Sequence, residues 1–200
     1  MTQLPIRAGR WAAALPAAAL LLAAALLLPA CRQAPPPPVL GEVPGFQLTA
    51  QTGQPFDRAS LDGKVWVADF FFTTCTGPCP RMSAQMRQVQ NATASLPDVR
   101  LISFTVDPAH DTPEVLAAYA KRFRAQAGRW FFLTGETAAL DALAHNVFKL
   151  NSVDGSLVHS TRFVLVDRKG RIRGYYTSSD DDFMSHLLRD LRRVNGEASS

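Results

Sequence analysis

The chain has 200 residues, 47% of them hydrophobic, and its 21 basic and 17 acidic side chains leave a net charge of +4. That length and apolar content suit one domain with a packed core. The basic excess is mild and contains no Lys/Arg block, so no nucleic-acid partner is expected.

Arg7 and Arg10 precede an apolar run from Trp11 to Ala30 that ends at Cys31. A positive start, an apolar stretch and a small-residue exit predict an export signal over residues 1–30. The segment LLPAC resembles the lipobox of bacterial lipoproteins, which makes Cys31 the lipid attachment site. The alternative is an uncleaved membrane helix, for which the run is about long enough although Pro16 would strain it. Either anchor puts the rest of the chain outside the cytoplasm and close to a membrane, at the periplasmic face or the cell surface.

Residues 31–45, with the segment APPPPVLGEVPG, read as a Pro-rich linker that extends at about 3.1 Å per residue. A folded domain is expected over 46–195 and a short tail over 196–200. GFQLTAQTGQPF reads as a strand and turn. KVWVADFFF (64–72) and VRLISFTV (99–106) are apolar enough for buried central strands. Between them, Met82, Met86 and Val89 recur on one helical face. DTPEVLAAYAKRF opens a helix at Asp111 or Thr112, with Pro113 in its first turn and Glu114 as a capping partner. RWFFLTG is a short strand and TAALDALAHNVFKL a helix. TRFVLVDRKGRIRGYYT is a hairpin turning at 167–170, and DDDFMSHLLRDLRRV is a closing amphipathic helix. Alternating strands and helices imply an α/β domain whose mixed central sheet is flanked by helices. The hairpin followed by a last helix is the ending of a thioredoxin-like fold.

Cys75 and Cys79 lie where the first central strand runs into a helix. A helix N-terminus stabilises a thiolate, so a lowered thiol pKa is expected there. Four residues make about one helical turn, which sets the two sulfurs on one face, within reach of a disulfide or of one metal ion. Thioredoxin-type oxidoreductases space their cysteines C-x-x-C and face them with a proline; here the spacing is one longer and no proline follows Pro113. His159 occupies that neighbourhood instead. Two thiolates and an imidazole form a soft set that favours copper, as Cu(I) or Cu(II), over four-coordinate zinc. A plain structural disulfide is the competing assignment, and it closes little chain entropy over so short a loop. His110 reads as a solvated turn residue, His145 and His186 as ordinary helical side chains.

DFFFTTCTGPCPRMSAQM resembles the C-x-x-x-C-P signature of the Sco/SenC family, membrane-tethered copper chaperones for cytochrome c oxidase. SFTVDPAHDTPEVLAAYAKRF and LVHSTRFVLVDRKGRIRGYY are similar to that family's second and third motifs. Carried over by position, the resemblance implies copper ligands at Cys75, Cys79 and His159. It implies as client oxidase subunit II or another copper-accepting protein, to whose CuA site copper is delivered or whose cysteines are reduced beforehand. Val158 stands where the family often has an acid. Asp107 and Asp111 match motif acids and are expected to form the turn and cap the helix. Asp69, six residues before Cys75, is either a buried acid able to move thiol protons or a half-exposed strand residue paired with a base. An extracytoplasmic thiol–disulfide oxidoreductase, with Cys75 attacking and Cys79 resolving, remains the alternative function.

Overall fold

The computed structural model describes residues 35–150, 153–157 and 160–197. The export signal, Cys31 and His159 lie outside the described residues. Among the described residues, no helix is long and apolar enough to cross a membrane.

Eight strands form one sheet: β1 (Gly41–Glu42), β2 (Gln47–Ala50), β3 (Pro55–Asp57), β4 (Val65–Phe71), β5 (Val99–Thr105), β6 (Trp130–Thr134), β7 (Arg162–Val166) and β8 (Arg171–Thr177). Their order is β1-β8-β7-β4-β5-β6-β2-β3, with β4–β5 and β5–β6 parallel and the other pairs antiparallel. The helices are α1 (Pro78–Ala92), α2 (Pro113–Arg122), α3 (Thr137–Asp141, continued by a π-helical stretch Ala142–Val147) and α4 (Phe183–Gly196). The expected α/β layering around a mixed sheet is therefore present.

All of β4 is buried because both of its faces are covered. Alternation sends Val65, Val67 and Phe71 into one core with Met82, Met86 and Val89 of α1, Leu116 and Tyr119 of α2, and Leu187 and Leu191 of α4. Trp66, Ala68 and Phe70 enter the opposite core, with Leu140 and Leu143 of the α3 region and Phe148. There Phe70 stacks on Phe104 at 5.0 Å between ring centroids, and Phe148 meets Phe70 edge-on at 5.6 Å. Each such fully buried side chain contributes roughly 1.5–3 kcal/mol over its exposed state.

Two strands were not expected: β3, in the segment read as a turn, pairs back on β2, and β1 lies still earlier. Gly41–Glu42, within the predicted linker, pairs with Ile172–Arg171 at the sheet edge, and Val43 behind it is 1% exposed. The segment is held further out as well: Arg173 donates from Nε and Nη2 to the Pro37 carbonyl at 3.0 and 2.7 Å. Arg173 is itself buried and pairs with Asp167 at 3.0 Å and Glu197 at 2.6 Å. Burial works to raise the Asp167 carboxyl, but hydrogen bonds from Arg171, the Lys169 backbone and Arg173 win and hold it below its usual range.

The Arg173→Ala variant should lose about 3 kcal/mol of unfolding free energy, because a buried carboxylate and the Pro37 carbonyl lose their shared donor. Urea unfolding of variant and wild type checks this; an unchanged midpoint would mean that the cluster adds nothing to stability.

Candidate metal centre at the cysteine loop

Because β4 and β5 run parallel, both end at the same edge of the sheet, and the loops that follow them lie side by side. The Val106 N–H donates to the Phe71 carbonyl at 2.8 Å where the two strands finish. The β4 loop carries Thr73, Thr74 and Cys75 into α1; the β5 loop carries Asp107 to Thr112 into α2.

Asp111 joins these loops. Its side chain is fully buried, and its carboxylate accepts from the Thr73 N–H at 3.1 Å, from the Thr73 hydroxyl, and from the Thr105 hydroxyl at 2.5 Å. His110 Nδ1 lies 3.0 Å from the same carboxylate. Asp111 therefore does not cap α2: that position belongs to Thr112, whose hydroxyl accepts from the Val115 N–H at 3.4 Å. Asp107 forms the turn through its backbone, its carbonyl accepting from the N–H groups of His110 and Asp111.

Cys75 and Cys79 are not disulfide-bonded in this structure; Cys75 is partly exposed and Cys79 fully buried. The Cys75 and Cys79 thiols interact with one another, but not across a helical turn: α1 begins at Pro78, so Cys75 lies in the loop ahead of it. The predicted lowering of thiol pKa does not hold for Cys79. Burial pushes its thiol well above the usual range, the Cys75 thiol adds to this, and the Phe72 backbone opposes it only in part. The local reason is visible in the helix start. Pro78 and Pro80 occupy the first turn of α1 and have no N–H, which removes two of the four donors that a helix N-terminus offers.

The structure brings a third acidic group into this region. Asp69 lies on the β4 face that shares its core with Cys79, and it is fully buried, not half-exposed beside a base. Ser103 donates to its Oδ1 at 2.6 Å, and the Trp130 indole N–H donates to Ser103 at 3.0 Å. Oδ2 has no hydrogen-bond partner. Burial pushes the Asp69 carboxyl up to about 7, against the lowering pull of Ser103. Its charge is felt at Cys79 and at the Tyr119 hydroxyl, which lies 3.0 Å from Ser83 Oγ.

Of the predicted metal ligands, the structure thus unites Cys75 and Cys79, while His159 lies outside the described residues. Among the described residues, no three His, Cys, Asp or Glu side chains converge as a metal cluster. Arg162, the first residue of β7, is at the cysteine end of the sheet, because β7 runs antiparallel to β4 with Val164 opposite Ala68. Thr73, Ser103 and Thr105 are the site residues that the sequence did not reveal: they lie within the quoted motifs, but no spacing or periodicity singles out their hydroxyls.

The buried acid makes stability depend on pH. The folded protein holds a proton on Asp69 that the unfolded chain releases above about 3.8, so stability should fall as pH rises from about 4 to about 7 and then level off. Asp69→Asn should remove that slope and gain up to about 4 kcal/mol above pH 7. Unfolding curves between pH 4 and 8 test this, and an identical slope in the variant would discard it.

A model of the SCO1/SenC family matches residues 38–194. The SCO1/SenC family lipoprotein of Bacillus anthracis str. Ames is 34% identical, with a TM-score of 0.71 over 77% of this chain and 95% of that one. BsSco, a member of the Sco family of cytochrome c oxidase assembly proteins in which a disulfide switch was identified, is 32% identical. Its TM-score is 0.72 over 81% and 98% of the two chains. ScoI of Bradyrhizobium japonicum, solved with copper bound, is 25% identical, with a TM-score of 0.58 over 76% and 98%. These neighbours share a thioredoxin-like architecture with this chain, as the closing hairpin and helix implied. The family match runs from the segment gripped by Arg173 through the cysteine loop to the last turns of α4, and on that span this chain belongs to the SCO1/SenC family.

Proposed function

We propose that this protein is a membrane-tethered copper chaperone acting outside the cytoplasm, holding copper through Cys75, Cys79 and His159. Its client is the CuA site of cytochrome c oxidase, to which it delivers copper or whose cysteines it prepares. Cys31, as a lipid attachment point, supplies the tether.

The observation that carries this reading is the unequal burial of two touching thiols. A fully buried thiol whose ionisation is disfavoured is a poor free nucleophile but a good ligand, because a soft cation supplies the charge that the apolar surroundings do not. The partly exposed Cys75 is the sulfur that a partner's cysteine reaches first, so ligand exchange begins there and ends at Cys79. In sequence, His159 precedes Arg162, the first residue of β7, and β7 starts at the end of the sheet where β4 leads into the cysteine loop. The relatives add support: one was solved with copper bound and another is a member of an oxidase-assembly family.

The same asymmetry favours one second reading, a thiol–disulfide oxidoreductase in which exposed Cys75 attacks and buried Cys79 resolves the mixed disulfide. A disulfide switch in BsSco is in keeping with it. The two roles are separable, since only the chaperone needs His159.

Copper titration and X-ray absorption should find one copper per chain with sulfur and nitrogen donors. His159→Ala should weaken binding by about tenfold or more, since even outer partners of metal ligands are worth that much. Wild-type protein that binds no sulfur-ligated copper would overturn the chaperone reading. Unchanged affinity in His159→Ala would remove that residue from the site. Client reduction by the copper-free protein, unaffected by His159→Ala, would favour the oxidoreductase.

A further inference from the structure

One buried carboxylate at the cysteine end is bonded in a way that neither helix capping nor strand pairing explains. Asp111 accepts twice from one residue of the β4 loop, from the Thr73 N–H at 3.1 Å and from the Thr73 hydroxyl. It accepts again from the hydroxyl of Thr105, the last residue of β5, at 2.5 Å. The cap of α2 is Thr112, so the helix does not need Asp111 for that purpose. The strands do not need it either. They are paired up to their last residues, Phe71 opposite Thr105, and the Val106 N–H adds a bond to the Phe71 carbonyl at 2.8 Å.

Thr73 lies two residues past the end of β4. What Asp111 grips there is a turn. The Cys75 N–H donates to the Phe72 carbonyl at 3.3 Å, with Thr73 and Thr74 as the central residues. The Phe72 backbone also interacts with the Cys79 sulfur. One turn therefore meets both cysteines: its last residue is Cys75, and its first residue contacts Cys79. Its second residue is held by a carboxylate 38 positions away in the chain.

We propose that Asp111 is the positioning residue of the cysteine pair, its carboxylate pinning Thr73 so that the turn from Phe72 to Cys75 presents one sulfur to the other. Cys75 lies in a loop and not on α1, so the helix alone does not fix where its sulfur points. The two bonds to Thr73 engage both a main-chain and a side-chain group, which leaves that residue little freedom to rotate. The proposal rests on the paired thiols of the reading above, and it holds whether they bind copper or exchange disulfides. It is tested on the metal-free pair, so its failure is distinct from failure of the copper reading.

The full chain, free of metal, is equilibrated with glutathione buffers of graded poise. Glutathione disulfide takes two electrons and the two thiol protons and leaves as two glutathione thiols, while the Cys75–Cys79 disulfide forms. Peptide mass after alkylation gives the closed fraction. Asp111→Ala should lower the equilibrium constant for closure by about tenfold, which is about 30 mV for a two-electron couple. Asp111→Asn should stay within about twofold of wild type, because its amide oxygen can still accept from the Thr73 N–H and the Thr105 hydroxyl. Thr73→Val loses only the hydroxyl bond; it should shift closure in the same direction by less, and it carries the test if Asp111→Ala does not fold. Arg173→Ala, destabilised at the other end of the sheet, should match wild type. Wild-type closure in Asp111→Ala or Thr73→Val, or a shift in Arg173→Ala as large as theirs, would overturn the proposal and leave the copper reading intact. A wild-type pair that no glutathione poise closes would overturn it too, since the turn would then not bring the sulfurs face to face.

Discussion

One buried carboxylate ties the working end of this molecule together. Asp111 lies in a loop that follows β5, yet three of its hydrogen bonds go to the threonines at the ends of β4 and β5. Removing a carboxylate from water without partners costs several kcal/mol, so its burial is tolerable only while these donors stay in place. The constraint acts in both directions. The donors satisfy the Asp111 oxygens inside the fold, and Asp111 in return fixes the strand exit from which Cys75 departs. Parallel pairing of β4 with β5 is the precondition, since only parallel strands deliver both loops to one edge.

Within that frame the two cysteines are made chemically unequal by depth alone. Cys79 faces the core formed by α1, α2 and α4, and Cys75 faces the mouth. The helix start contributes little to ionisation, because two prolines replace two of its donors. Asp69 acts in the same direction, since a carboxylate near a thiol disfavours a second negative charge. The pocket thus discourages a bare thiolate at Cys79.

Much of this was legible in the sequence, and the failures have physical causes. β4, β5, α1 and α4 follow from apolar runs and periodicity because their burial is strong and local in pattern. The cysteine spacing pointed to a paired site because the two residues are close in sequence, although Cys75 reaches Cys79 from the loop ahead of α1 and not from a helical turn. β1 escaped because two residues carry no period; it is a strand only through pairing with β8, some 130 positions later. Asp111 passed for a cap because Asp before Thr-Pro is an equally good helix-start signal, and its true partner, Thr73, is 38 positions away. The Pro78 and Pro80 pair was in plain view, but weighing it against burial required knowing how deeply α1 settles on the sheet. The depth of Asp69 likewise depends on helices that cover β4 from distant parts of the chain.

The two ends of the sheet divide stability from reactivity. β4 is seven residues long, so roughly 20 Å separates its ends. At the end where β7 turns into β8, Asp167, Arg173 and Glu197 form a compensated cluster that also grips Pro37, and each of these three charges has an opposite partner within 3.0 Å. At the other end the polar groups are left in tension. Asp69 has an oxygen without a partner, burial disfavours ionisation of Cys79, and Cys75 is partly exposed. A fold that compensates this cluster at one end can leave buried polar groups incompletely satisfied at the other. The cost of that shortfall is met by the two cores between them, in which the large aromatic side chains of β4, β5 and β6 are almost all fully buried.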